Sequence, residues 1–324
     1  MSPLVNMKTK PEFDADELNL ITLAQEYSDE NKARKLFESW RWPGGKPICP
    51  HCKHDEIYTM KSKPDTKNKM RAGLYCCSAC RKTFTATVGT VMEDSHLPIS
   101  KWLMAIFLIS SSKKGMSAHQ IHRMLKITYK AAWFMCHRIR FAFGDDGEKL
   151  KGIVEADECF IGGRGEARTN FLRHVPVMAL IERGGKAKTR VVASVSQKNL
   201  GAVLAECVDT SAIVNTDDHP GYKAPLKKYA RHDVVNHSKE EYHRVNPDGT
   251  ISTTNGAESF FSLLKRGVYG SWHHVSREHL PKYANEFAFR WGTSKLTDGA
   301  RMAAAVPLFG GKRLMYRQPV NCGN

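Results

Sequence analysis

The sequence predicts an α/β protein in which a cysteine-pinned module and a helical hairpin precede a larger domain of alternating strands and helices. Three observations predict it. Two Cys-x-x-Cys pairs stand close together early in the chain. A helical apolar pattern follows, broken near residue 115. Beyond residue 150, short runs rich in Val and Ile alternate with helical segments, and several of them carry or end in acids.

The 324 residues are enough for two or three domains with a real core. A formal net charge of +16 suits a polyanionic partner such as nucleic acid. The charge is uneven: residues 58–143 hold 15 Lys/Arg against 3 Asp/Glu, and the first 57 residues carry none of the excess. The basic surface is therefore expected in the second quarter of the chain. The polar, acidic N-terminus does not read as a secretory leader. The longest apolar run, 102–109, is far short of the roughly 20 residues that span a bilayer, so no membrane partner is expected. Nine cysteines, odd in number and clustered early, argue against a secreted disulfide framework and for a reducing cytoplasm.

Residues 1–45 read as an N-terminal helical segment, with a loose tail over 1–10 and a scaffold helix at 29–37, entered from Ser28 and stopped before Trp42-Pro43-Gly44-Gly45. Residues 46–97 hold Cys49-Pro-His-Cys52 and Cys77-Ser-Ala-Cys80. Four thiolates in two knuckles are a soft tetrahedral donor set, which selects one structural Zn²⁺. Cys76 competes with Cys77 on spacing, but its distance to Cys80 is one residue too long for the same turn. Phe84, Thr85, Thr87 and Val88 follow as short strands of a zinc ribbon. The lysine-rich stretch 61–71 reads as a solvated loop that could touch phosphates.

Residues 98–147 turn helical. Trp102, Ala105, Ile106 and Ile109 recur at helical spacing, and Lys113-Lys114-Gly115-Met116 breaks the run. Ser117 then caps a helix over 118–125, and Thr128 caps another through 143. Two short helices joined by about three residues suggest a helix-turn-helix. Lys130, Arg138 and Arg140 are expected on its DNA-facing surface, where they would meet phosphates and base edges. Gly144 to Gly147 reads as a hinge.

Residues 148–295 are expected to form the catalytic domain. Its first strand carries Asp157. Strands at 175–182 and 189–195 flank a turn at Arg183-Gly184-Gly185-Lys186, and a helix covers 199–207. A fourth strand over 212–218 ends in Asp217 and Asp218. A fifth is expected at 234–237, then a helix over 252–266 bearing Glu258 and Lys265, seven residues and so two turns apart on one face. This order of elements is that of an RNase H-like domain, in which acids on the first strand, after the fourth strand and on a later helix meet. Asp157, Asp217 and Glu258 are those acids here. Three carboxylates without a counter-charge repel, so they imply divalent metal, and hard oxygen donors select two Mg²⁺ or Mn²⁺ ions. Lys265 is expected near a DNA phosphate. Asp218 points to the opposite strand face from Asp217, so only one of the two can join the site. Trp272 reads equally as a DNA contact and as packing. Residues 296–324 form a tail without a motif.

Several strings together resemble the ISXO-like DDE insertion-sequence transposases with an N-terminal zinc ribbon. They are CPHC with CSAC, FTATVGTVMEDSHLPISKW, DECFIGG, NTDDHPGY and TTNGAESFFSLLKRGVYGSWHHVSREHLPKYANEFAFRW, within residues 41–291. Thr254 stands where that family usually has His. The resemblance implies that Asp157, Asp217 and Glu258 are the acidic triad, with Lys265 the basic residue after it. It implies strand cleavage at element ends and transfer of the 3′-OH into target DNA, with terminal inverted repeats and target DNA as partners, a homo-oligomer and no small-molecule substrate. A stand-alone metal-dependent nuclease and a zinc-ribbon DNA-binding regulator without catalysis are the alternatives.

Overall fold

The computed structural model describes residues 15–61, 70–144, 147–162, 174–236 and 241–316. The chain divides into two compact units. The described residues up to 112, those at 118–142 and those from 296 on make the first, and 113–117 with 143–295 make the second.

The first unit opens with α1, Leu20–Glu26, capped by Asn19, whose side chain accepts from the amides of Ile21 and Thr22. No helix was expected there. α2 spans Glu30–Arg41 and buries Ala33, Leu36 and Phe37. Its cap is Asp29, accepting from the Lys32 amide at 2.9 Å, rather than Ser28. The helix ends at Arg41, at the expected stop before Trp42-Pro43. β1 (Ile57–Thr59), β2 (Tyr75–Cys77) and β3 (Thr83–Phe84) form a small antiparallel sheet. Most of the lysine-rich stretch between β1 and β2 lies outside the described residues. α3, Ile99–Ser111, is almost wholly buried. Pro98 gives it no side-chain cap, and the amides of Ile99 and Ser100 donate instead to Glu30 on α2, at 2.7 and 3.2 Å.

α4 (Ala118–Leu125) and α5 (Tyr129–Ala142) form the expected helical hairpin. Lys126 turns the chain at φ 47°, and the Thr128 hydroxyl accepts from the Ala131 amide at 3.2 Å. Ile121 and Leu125 of α4 and Ala132, Met135 and Ile139 of α5 are all buried, and the two helices are in contact. One expectation fails on α5. Arg138 and Arg140 are 7% and 1% exposed. The Arg138 guanidinium lies over the Phe134 ring, 4.4 Å from its centroid. Almost the whole C-terminal half of this helix is buried, so the polar face read from its sequence is covered at these two positions. Lys130, near the other end, is exposed.

The second unit is a five-stranded sheet with helices on both faces. β4 (Ile153–Ile161), β5 (Val175–Glu182) and β6 (Ala187–Val191) run antiparallel in turn. α6, Gln197–Cys207, crosses to β7, Ile213–Thr216, which pairs parallel with β4. β8, Arg231–Val234, pairs parallel with β7 and starts three residues before the expected fifth strand. Its Arg231 and Asp233 form an ion pair, and that polar start disguised it in the sequence. The order across the sheet is β6-β5-β4-β7-β8. Val154, Ala156, Met178 and Leu180 pack with Leu200, Val203 and Leu204 of α6. A short hairpin, β9 (Arg244–Val245) with β10 (Ile251–Ser252), then leads into α7, Asn255–Gly267, and α8, Leu280–Gly292. Cys159, Ile161, Val177, Ala179 and Ile181 pack with Phe260, Phe261, Leu264 and Phe287 on the other face. With both faces covered, β5 is apolar at nearly every position, as a two-sided core strand must be.

α7 continues into a π-helical turn, Val268–Trp272. The Trp272 indole donates to the Met116 carbonyl at 3.0 Å and packs edge-on to Tyr283 and Phe287. Trp272 is thus a packing residue of this unit. Gly115 has φ +88°, and a Cβ there would lie 2.3 Å from the indole, so this glycine is required by both backbone and space. α9, Asp298–Ala305, returns to the first unit and packs on α3.

Candidate active site and metal centre

The four ribbon cysteines converge. Cys49 and Cys80 sulfurs lie 3.7 Å apart, and those of Cys52 and Cys77 3.5 Å apart. The four ligand atoms all fall within 4.8 Å of one another. Bonds of about 2.3 Å to a tetrahedral zinc put sulfurs about 3.8 Å apart, close to these separations and far from the roughly 2.05 Å of a disulfide. The chemistry of the donors and their spacing both fit zinc. Cys76, the rival on spacing, is not in the cluster. Its thiol faces the Arg81 carbonyl at 3.8 Å. Although burial opposes it, hydrogen bonds from the Cys52 and His51 amides and from the Cys52 and Cys80 side chains bring the Cys49 thiol down to about 6, while in the same cluster, against a hydrogen bond from the His54 amide, burial and the Cys77, Cys49 and Cys80 side chains push the Cys52 thiol up to about 12. A thiolate is the form a metal takes.

The second cluster is built on β4. Side chains alternate along a strand, so the positions of Val154 and Ala156 against α6 and of Cys159 and Ile161 against α7 assign the acids between them. Asp157 belongs to the α7 face and Glu158 to the α6 face. The register that pairs Glu155 with Asn215 brings Asp217, two residues further on, level with Asp157. The Asp217 carboxylate accepts from the His219 amide at 3.1 Å, whereas Asp218 is exposed. Glu258 sits in the first turn of α7, on its exposed side.

The electrostatics show what this arrangement brings together. Burial pushes the Asp157 carboxyl up to about 7. The Glu158 amide, donating to Asp157 at 2.8 Å, pulls the other way, and the charges of Glu158, Asp217 and Glu258 add to the rise. Burial also raises Glu158, opposed by a hydrogen bond from the buried Tyr222 hydroxyl and reinforced by Asp217. Lys265 lies near the same strand. Burial pushes the Cys159 thiol up to about 12, and the Lys265 charge is the largest influence against that rise. The two α7 side chains therefore act on β4 residues two positions apart, Glu258 on Asp157 and Lys265 on Cys159. A half-buried carboxyl crowded by other carboxylates is what a divalent cation relieves, and oxygen donors suit a hard ion. Among the described residues, however, only the cysteines meet the 4.8 Å spacing, so the acids stand wider apart than the thiols do.

Two residues of this region escaped the sequence reading. Tyr222 was passed over inside the string NTDDHPGY. Glu155 is 4% exposed and accepts from the amides of Gly256 and Ala257 at the start of α7. Strand alternation offered a signal for it, since Glu155 and Asp157 share a face. The helix end it meets is about a hundred residues away and offered none. His237, in the stretch expected as the fifth strand, lies outside the described residues. Asn255 is exposed at the first position of α7.

Comparison with known proteins finds a family match over each of the two regions that hold these clusters. Residues 149–292 match the ISXO2-like transposase domain, and residues 28–83 match the transposase zinc-ribbon domain. A curated relative from Halobacterium salinarum, described as an uncharacterized protein in transposable element ISH50, is 27% identical over 286 residues. The match covers 82% of this chain and 91% of that protein.

Proposed function

From a chain that carries an ISXO2-like transposase domain behind a transposase zinc ribbon, we propose a DNA transposase that cuts element ends and joins them to target DNA. The observation that carries the reading is that the charges of Asp217, just after β7, and Glu258, at the start of α7, both act on Asp157 of β4. The sheet order β6-β5-β4-β7-β8, with the first three strands antiparallel and the last two parallel to β4, supports an RNase H-like assignment.

In this reading Asp157, Asp217 and Glu258 would hold two Mg²⁺ or Mn²⁺ ions, which would supply Lewis-acid activation for phosphoryl transfer. Water attacks the phosphodiester at the element end. A bond forms from its oxygen to phosphorus, and the 3′ oxygen leaves and takes up a proton. That 3′-OH then attacks a target phosphodiester, whose own 3′ oxygen departs. Lys265 places a positive charge beside the phosphate, where negative charge accumulates in the transition state. Cys49, Cys52, Cys77 and Cys80 hold one Zn²⁺ as a structural ion. The ribbon and the α4–α5 hairpin, with exposed Lys130, engage the terminal inverted repeat. Two ends must be held at once, so the working form is a homo-oligomer. Among the described residues no helix is long and apolar enough to cross a membrane.

The test is incubation with terminal-repeat DNA, target DNA and Mg²⁺. Joined products are expected. Cleavage without joining would identify a stand-alone nuclease, and binding without cleavage a regulator. Asp157→Asn is expected to bind DNA as wild type does and to lose cleavage by at least about a thousandfold. Wild-type joining by that variant would refute the assignment.

A further inference from the structure

We infer that Glu155 is a positioning residue: it clamps the start of α7 to the strand that carries Asp157 and so sets where Glu258 stands. The inference rests on reading Asp157, Asp217 and Glu258 as the metal-holding acids. The first four amides of any helix lack partners within it. Thr254, at the N-cap position of α7, does not cap the helix with its side chain. The Gly256 and Ala257 amides donate instead to Oε2 of Glu155, at 2.7 and 3.3 Å. The other oxygen, Oε1, accepts from Nη2 of Arg183 at 3.1 Å. A buried carboxylate between a guanidinium and a helix N-terminus has its charge compensated on both sides.

The same clamp continues into the chain ahead of the helix. Nη1 of Arg183 donates to the Ile251 carbonyl at 2.8 Å. Asn215, which pairs with Glu155 in the sheet, donates to the Thr253 carbonyl at 3.3 Å. Gly256 allows the close approach, since a Cβ there would stand 2.6 Å from Oε2 of Glu155. Glu155 lies two residues before Asp157 on one face of β4, and Glu258 directly follows Ala257. Beside the apolar packing of α7 on β4, the Glu155 carboxylate therefore links the strand of the first acid to the helix turn of the third by direct hydrogen bonds. Any shift at the start of α7 carries Glu258 with it and leaves Asp157 behind. Displacements of about an ångström at such sites cost rate steeply.

The experiment uses the full zinc-loaded chain and measures Mn²⁺ affinity by electron paramagnetic resonance, beside DNA binding, thermal melting and cleavage. Glu155→Gln and Gly256→Ala are compared with Asp157→Asn and Glu258→Gln. Both clamp variants are expected to keep a cooperative melt and wild-type DNA affinity. Their Mn²⁺ affinity should weaken about tenfold or more, with cleavage falling in parallel, in the range seen when a group that orients a metal ligand is removed. Gly256→Ala leaves every charge in place, so it carries the test if Glu155→Gln does not fold. Wild-type Mn²⁺ affinity in a folded clamp variant overturns the inference. If Asp157→Asn and Glu258→Gln also retain that affinity, the acid site itself is wrong. If those two lose it while the clamp variants do not, only the role of Glu155 fails.

Discussion

Asp157 shows how a single side chain can oppose the fold it serves. Its carboxyl is held at about 7, chiefly by burial, against an ordinary value near 3.8 in the unfolded chain. Between those values the folded state keeps a proton that the unfolded state has lost. Stability contributed by this group therefore falls as pH rises through that window. The metal-free wild-type chain should melt progressively lower than Asp157→Asn as the pH is raised from about 4 to about 7. Added Mg²⁺ should close the gap on the alkaline side. Parallel melting curves across this range would mean that Asp157 is not the strained group. Glu155, on the same face, is the contrasting case: a buried carboxylate whose partners are supplied in full by Arg183 and two amides.

At the level of elements, two helices lack caps of their own and take them from elsewhere. α3, preceded by Pro98, is capped by Glu30, and α7, preceded by Thr254, is capped by Glu155. Both starts were legible as helical pattern, but the caps were not, because neither glutamate is near in sequence. The ribbon was legible almost entirely, since Cys-x-x-Cys spacing is a local constraint and the metal chemistry needs nothing else. We expect one zinc per chain by metal analysis. Chelation, or Cys80→Ser, should abolish the β1–β3 sheet and terminal-repeat binding while the second unit keeps its own melting transition. The turn at Gly115 gives a separate prediction. Gly115→Ala combines a positive φ with an indole contact, so denaturant unfolding should show a loss of about 2 kcal/mol or more.

Across the whole molecule, the charge excess pointed to a basic second quarter, and the structure redistributes its meaning. Of the three basic residues assigned to DNA from α5, two are buried and one is exposed. Helical spacing alone could not separate them, because a helix packed on most sides hides polar and apolar positions alike. Lys130→Ala is expected to weaken binding to all DNA sequences equally and to lower the slope of log affinity against log salt by about 0.9, the contribution of one phosphate contact. An unchanged slope would remove Lys130 from the interface. Chain continuity is also not unit continuity. Residues 113–117 depart from the first unit to join the second, and residues from 296 on return to the first. The sequence marked 113–116 only as a break between helices.

The sequence by itself marked the four clustered cysteines, the helical hairpin, the strand at 175–182 and a strand through Asp157, because each is written in spacing or alternation over a few residues. Only the tertiary structure decided which arginines are covered, that Asp217 rather than Asp218 faces Asp157, and that Glu155 holds α7. Those outcomes depend on β4 pairing with β7 and on α7 reaching back to β4. Contacts between segments 60 or 100 residues apart leave no periodic trace in the chain that makes them.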